Sequence, residues 1–484
     1  MRKERVFILF LLMVAALGIV FFGLYLKAQR NLESAREQIK AEVAEIEERY
    51  QQYVNSKTKP AEERVPDLSP SDDSRNETNE DTITALEQMD EKINSLKSDD
   101  RKIERMILDT WLYSIDAIYF LETDWESFSD HQKKQVRDFY SNNHDLILEI
   151  RQLAATGGPF GKLEFSKGKD MEWPHLDRIS NCRCLLENDA FLAVLSGEYE
   201  EAAKDYIAIM QFAEASSKEP FSKSHYNKNW AMDTVYEGIS EHLPEETLSP
   251  DTALEIIKQA SHIVGREALT QSLKMDVIEV MTTFDEIRSG DYDPTIKPRG
   301  LNALIDRFNA SIIGRPFLLM DELASVDIMG RLPEIIRLPF YQAKPQLDHI
   351  NSEIDMLPIT SSFSRRGLVW YITITPEKQA EHEAKIGLLQ IGLAVEMYHG
   401  QHDVYPQDLD EIAPMLNNEV PLDPYTGEEF VYEPGEDGFT LYSARGSVID
   451  KPHSYTSYAD RNGNLVWRGP RDWRESENPE HEQL

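Results

Sequence analysis

Cysteine is nearly missing from this chain. Cys182 and Cys184 are the only two in 484 residues, which excludes a disulfide framework. Basic residues are also in short supply: 51 Lys and Arg stand against 86 Asp and Glu, a formal charge of −35. Such an excess repels nucleic acid and anionic lipid surfaces and gives no electrostatic footprint for DNA or RNA, so no nucleic-acid partner is expected. Recognised catalytic signatures are lacking as well, with no Gly-rich phosphate loop, no G-x-S-x-G turn and no dinucleotide fingerprint. What is present is apolar material. Hydrophobic residues make up 41% and aromatics 10%, enough for packed cores, and the length suits about two to four folded units.

The residues that invite chemistry do not assemble into a site on sequence grounds. Cys182-Arg183-Cys184 lies in a helical pattern, where positions two apart point about 200° away from each other, so both thiols cannot easily share an ion or a bond. They read as structural cysteines. His382-Glu383 lacks the second histidine of a zincin motif. His399 and His402 sit three apart at a helix end, where histidines are electrostatically ordinary. Asp460, Asn462 and Asn464 match the first oxygen positions of a calcium loop, but Arg471 stands where its last glutamate is required. Asn462-Gly463, flanked by Tyr455, Tyr458, Leu465, Val466 and Trp467, reads better as a type I′ hairpin turn than as a calcium site. No catalytic, cofactor-binding or metal-ligating residue is assigned, and no cofactor is expected.

The N-terminus supplies an address. Val6 to Leu26 is an uncharged run of 21 residues, bracketed by Arg2, Lys3 and Arg5 on one side and Lys27 and Arg30 on the other. At about 1.5 Å per helical residue it spans a hydrocarbon core of about 30 Å. A cleaved signal peptide would have a shorter apolar stretch ending in small residues, whereas this one ends Phe21-Phe22-Gly23-Leu24-Tyr25-Leu26. The expectation is a cytoplasmic stub and single-pass anchor over 1–27, with the N-terminus inside and the bulk outside the cytoplasm. Beyond it, over 28–53, Leu32, Ile39, Val43, Ile46, Tyr50 and Tyr53 form a heptad-like seam interrupted by Arg36. That predicts a stalk helix, solvated or pairing with a second copy as a homodimer. The prolines and polar residues of 54–81 read as a disordered linker.

Residues 82–375 carry helical periodicity almost throughout, and no comparable strand alternation. Helices are predicted over Ile103–Tyr119, from Asp130 to Leu153 before Gly157-Gly158-Pro159, over Leu176–Leu195 and Tyr199–Ala215, then over Ser222–His242, Asp251–Val264 and Arg266–Ser289. Leu301–Ile350 reads as shorter helices broken at Pro316, Pro333, Pro339 and Pro345. The segment Leu195-Ser196-Gly197-Glu198-Tyr199-Glu200-Glu201-Ala202-Ala203 resembles the turn between the helices of a tetratricopeptide-type repeat, in one copy.

The most specific stretch is Glu377 to Trp467. A helix with Ala384, Ile386, Leu388, Leu389, Leu393, Val395, Met397 and Tyr398 leads to Tyr405-Pro406. Then come Val420-Pro421-Leu422-Asp423-Pro424-Tyr425-Thr426-Gly427 and Asp437-Gly438-Phe439-Thr440-Leu441-Tyr442-Ser443. Phe430 and Tyr432 before Pro434-Gly435, with Phe439 and Leu441 after, predict an antiparallel hairpin. This order of motifs over 376–469 resembles the periplasmic domain of the major pseudopilin of type II secretion systems. The resemblance implies one helix on a small antiparallel sheet. It does not extend to the membrane end, where Arg5-Val6-Phe7 lacks the glycine of a prepilin-peptidase site and no glutamate follows within the apolar run. The whole layout resembles uncharacterised membrane-anchored envelope proteins of bacteria, implying residence in the inner membrane. Residues 470–484 read as a disordered tail.

The fold class expected is therefore mainly α: a transmembrane helix, a helical stack with tetratricopeptide-like pairs, and a small α+β pilin-like domain. The function expected is non-enzymatic, with the chain binding other envelope proteins. An accessory role in a type II secretion or pilus-like apparatus is the first alternative, and a hydrolase with an unrecognised site in the helical region is the second.

Overall fold

A computed structural model describes residues 2–57, 79–98, 125, 128–165, 167, 171–244, 247–263, 265–291, 301–311, 313–435, 438–445 and 464–469. The described chain is mainly helical with one small sheet. The helices are α1 (Arg2–Lys57), α2 (Asn79–Ser98), α3 (Asp130–Asn142), α4 (His144–Ala155), α5 (Pro174–Ser196), α6 (Tyr199–Ser216) and α7 (Ser222–Glu237). After them come α8 (Pro250–Ile263), α9 (Arg266–Ser289), α10 (Leu301–Ala310), α11 (Arg315–Ile336), α12 (Phe340–Met356), α13 (Ser362–Gly367) and α14 (Thr375–His402). Strands β1 (Val431–Pro434), β2 (Phe439–Ser443) and β3 (Leu465–Gly469) form an antiparallel meander in that order. Tyr432 pairs with Leu441, and Leu441 with Trp467.

Local sequence explains most helix ends. Ser129 caps α3 in a capping box with Gln132, satisfying two backbone donors reciprocally. Asn143 then divides the predicted Asp130–Leu153 helix into α3 and α4. Gly197 ends α5 in the left-handed conformation, as the repeat-like turn implied, and α6 packs back along it. Pro333 and Pro345 lie inside α11 and α12 instead of breaking them. Leu332, Ile335 and Ile336 are buried around the first proline, and Ala343, Leu347 and Ile350 around the second. Burial of those faces offsets the lost hydrogen bond that would end an isolated helix.

The core does not divide at residue 376. One cluster of buried side chains runs from Leu86 of α2 and Val136 of α3, through α5 to α8, into α14 and on to Leu441 and Trp467 of the sheet. A second core joins α9, α11 and α12, with Leu368 and Ile372. The predicted helix over Ile103–Tyr119, the tail after 469, and the Asp460–Gly463 turn lie outside the described residues, as does 58–78 of the predicted linker.

α1 is continuous from the apolar run into the stack. Most side chains of that run lie outside the described residues, among which no helix is long and apolar enough to cross a membrane. The stalk seam is covered by the same chain. Leu32 packs with Met281 and Leu319, and Ile46 and Tyr50 pack with Leu163, Phe221 and Met275. Arg36, the odd member of the seam, is where the charge is wanted. Its Nη1 and Nη2 donate to the two Asp285 carboxylate oxygens at 3.0 Å each, and its Nε donates to Glu322 Oε1 at 3.0 Å. Arg288 pairs with the same two acids, and Glu322 is fully buried. Replacing Arg36 by Ala leaves Glu322 with one partner, so we expect a loss of about 2 kcal/mol in urea unfolding of the full chain in detergent. An unchanged midpoint would show that Arg288 alone suffices.

Candidate functional site

α14 is 28 residues long, and from Thr375 to Glu396 every side chain except Lys378 is buried. The stretch from Ile386 to Val395 is apolar apart from Gln390, as an all-round buried helix requires. The first three turns of α14 are not: they carry Glu377, Gln379, Glu381, His382, Glu383 and Lys385. Buried ions survive only where partners replace water, and partners converge here from three directions.

From α7, Asp233 Oδ1 lies 2.5 Å from Lys385 Nζ and 3.3 Å from His382 Nδ1. Glu237, one turn further, is 3.9 Å from the same ammonium. Within α14, Glu381 approaches Lys385 at 3.5 Å. From the far end of β2, Arg445 reaches back with Nη2 3.5 Å from Glu377 and 3.3 Å from Glu381, and it is fully buried. From α9, Arg266 Nε donates to Glu383 Oε1 at 2.6 Å, its Nη2 holds the other oxygen, and Gln379 Nε2 adds a third donor at 2.7 Å.

The electrostatics follow from these contacts. Burial pushes the Asp233 carboxyl up, but His382 and Lys385 beside it outweigh that and hold it far below the usual carboxylate range. Burial pushes Glu237 up to about 8, with the Lys385 charge only partly offsetting it. Burial lowers Lys228 to about 8 while Glu383 opposes the change, and burial beside Lys228 keeps His225 neutral.

The apolar half of α14 seats the sheet. A Cβ at Gly392 would come 2.4 Å from Trp467, so only glycine lets the indole lie flat on the helix. Trp467 Nε1 then donates to Glu396 Oε1 at 3.2 Å. Asp423 fixes the loop before the sheet by accepting from Tyr425 N, Ala444 N and Ser443 Oγ at 3.0, 2.8 and 3.0 Å. Gly427 closes that turn at φ 76°, with Tyr341 of α12 where a Cβ would be. Tyr341 N donates to Pro424 O at 3.1 Å, so the Asp-Pro-Tyr-Thr-Gly turn docks on the helical stack. Tyr432 OH donates to Pro406 O at 3.0 Å.

Other sequence candidates are placed individually. Cys182 is buried, Cys184 partly so, and burial raises both thiols. His399 stacks on Tyr405 at 4.0 Å, and His402 lies against Tyr398 at 4.3 Å. Among the described residues no group of three His, Cys, Asp or Glu is arranged to hold a metal. His175, Glu219 and Ser224 gather like a hydrolase triad but in the wrong order. Glu219 sits in the middle, 3.0 Å from His175 Nε2, and takes the Ser224 hydroxyl itself, so the imidazole cannot serve as base to the serine. A groove of about 570 Å³ between α1, α9 and α11, lined by Glu42, Lys274, Asp327 and Arg331, shares no residue with the cluster around Lys385.

Sequence reasoning passed over this cluster because charges in a helix read as a solvated face. The legible signal was Asp233 and Glu237, one turn apart on the mostly buried α7. No family model, curated protein or solved structure matches the chain.

Two outcomes test this arrangement. Glu237 and Asp276, the latter raised to about 7 by burial, each hold a proton in the folded chain that the unfolded chain has released. Their contribution to stability is therefore present below about pH 4 and is lost as pH rises towards 8. Unfolding free energy should fall between pH 5 and 8, and Glu237→Gln should flatten that slope by on the order of 1 kcal/mol per pH unit. A pH-independent wild type would refute the assignment. Separately, Gly392→Val should lift Trp467 off α14, read as a red-shifted Trp emission with a loss of about 3 kcal/mol or more.

Proposed function

We propose that this chain is a non-catalytic protein of the bacterial cell envelope that binds other envelope proteins. In this reading Val6–Leu26 holds it in the inner membrane, with the N-terminus cytoplasmic and the remainder outside the cytoplasm. The observation that carries the reading is the continuity of α1, an unbroken helix from the apolar run to the seam that Arg36 locks into the stack. An anchor joined without a hinge sets the whole body at a fixed place above the bilayer, which suits a scaffold. A non-catalytic role is supported by the cluster at Lys385, whose charges are spent on one another.

A second reading, an accessory subunit of a type II secretion or pilus-like apparatus, is favoured by the order of elements after Thr375. One helix, the Tyr405-Pro406 turn, the Asp423 turn and a three-stranded meander follow in the sequence that the pseudopilin resemblance implies. In this reading the acidic module is the docking face: from Pro376 onward the chain has 22 acids and 8 bases.

The test has two arms. Full-length chain expressed in bacterial cells should stay with membranes after alkaline carbonate washing, and a variant lacking residues 2–26 should be released. Recovery of the full chain in the soluble fraction would refute the anchor. Proximity labelling from intact cells with the anchor retained should enrich defined envelope proteins, and enrichment of a secretion ATPase or inner-membrane platform protein would select the second reading. Labelling no envelope protein above background would refute the binding role.

A further inference from the structure

Of the fourteen large apolar side chains left exposed among the described residues, five fall between Leu304 and Met320: these two, Phe308, Ile313 and Phe317. They make one surface. Leu304 and Phe308 are a turn apart on α10, Phe317 and Met320 nearly a turn apart on α11, and the Phe308 and Phe317 rings lie 5.5 Å apart across the junction. Ile313, 77% exposed, projects from the connecting turn. On the buried side of α10, Asn309 donates to Thr360 O at 2.7 Å, which brings Ile359, 61% exposed, alongside.

Two cations, Arg307 and Arg315, stand at this surface in a chain that is otherwise acidic. From Lys297 to Met320 the sequence has four bases (Lys297, Arg299, Arg307 and Arg315) against one acid, Asp306. Asp306 is already engaged by Arg366 at 2.9 Å. Arg307 and Arg315 are exposed, next in sequence to Phe308 and two before Phe317.

Position decides what covers it. α11 runs beside α1 in the same direction. Leu319 shares a core cluster with Ala28 and Leu32, Glu322 meets Arg36, and the residues from Val326 to Glu334 line a groove with Gln38 and Glu42. The start of α11 is therefore level with the end of the apolar run. Only Lys27 separates Leu26 from Ala28, which is already buried in that cluster. No spacer lifts the body away from the plane where the run ends.

We propose that the α10–α11 surface is a second membrane contact, seated in the interfacial layer of the bilayer that α1 enters. Leu304, Phe308, Ile313, Phe317 and Met320 enter the upper acyl region, and Arg307 and Arg315 meet anionic headgroups, the pairing that holds basic amphipathic segments at a membrane surface. The contact rests on the reading of α1 as an anchor. It turns a body hung on one helix into one held at two points, with its tilt fixed.

The test uses the full chain in phosphatidylglycerol-containing vesicles, with a nitroxide at Ile313→Cys, Val14→Cys or Val404→Cys. Native Cys182 is buried and Cys184 partly so, and the unsubstituted chain treated identically gives the blank. At 313, oxygen should speed the nitroxide's relaxation more than an aqueous nickel chelate does, the preference should be stronger still at 14, and at 404 it should be reversed. Introducing Arg307→Glu and Arg315→Glu should move the 313 label towards the aqueous pattern. An aqueous pattern at 313 with an immersed label at 14 overturns the second contact and leaves the anchor standing. An aqueous pattern at both overturns the anchor and this inference with it. Shielding of 313 from both reagents assigns the surface to a protein partner or a second copy, which also overturns the proposal, and an unmoved label in the double variant removes the headgroup role.

Discussion

A single ammonium group, Lys385 Nζ, sits out of water between the carboxylates of Asp233 and Glu381, with the protonated Glu237 carboxyl 3.9 Å away. Each of these ions, transferred alone from water to the interior, costs several kcal/mol. The arrangement holds only because α7, α14 and the end of β2 deliver their charges to the same place, Arg445 supplying the second cation. Burial of this kind adds little net stability against an apolar alternative, yet a partly assembled version is strongly penalised. Its effect is therefore selective: one docking of α14 is allowed and shifted registers are not. The alternation of Arg266–Glu383 on one side and Arg445–Glu381 on the other fixes the rotation of α14 as well as its position.

This constraint changes what the C-terminal motifs mean. Read along the chain they predict one helix followed by a small antiparallel sheet, and those elements occur in that order. Read in space, the Asp423–Gly427 turn and strand β3 are held against the helical stack. Asp423 closes the turn that meets Tyr341, Gly427 clears room for that ring, and Phe340 lies 5.4 Å from Tyr425. Tyr236 OH of α7 donates to Val466 O, adding a hydrogen bond from the stack to the edge strand. The C-terminal module is thus built into the body.

Much of the helical order was legible because burial and periodicity agree there. The boundaries of α9 are those the sequence implies, and the Gly197 turn needed only a left-handed residue between two amphipathic runs. The β1–β2 hairpin was legible from alternation around Pro434-Gly435. Three features were not. Pro333 and Pro345 sit inside helices because tertiary burial outweighs a lost backbone bond, which no local rule reports. The stalk seam looked like a surface for solvent or a second copy, and Arg36 looked like a flaw in it; Glu322 and Asp285, about 250 to 290 residues away, supply the reason for the charge. The first turns of α14 have the composition of a surface, so nothing local signals their burial, and only the convergence of distant partners makes it tolerable.

The claim that α14 binds the C-terminal module and the helical stack into one cooperative unit is tested most directly by native-state hydrogen exchange on the full chain. Amides of α7, the first half of α14 and β2 should open with the same free energy and the same denaturant dependence, and Lys385→Met should lower all three together. A module that exchanges through its own opening, with α7 protection unchanged in that variant, would contradict the account.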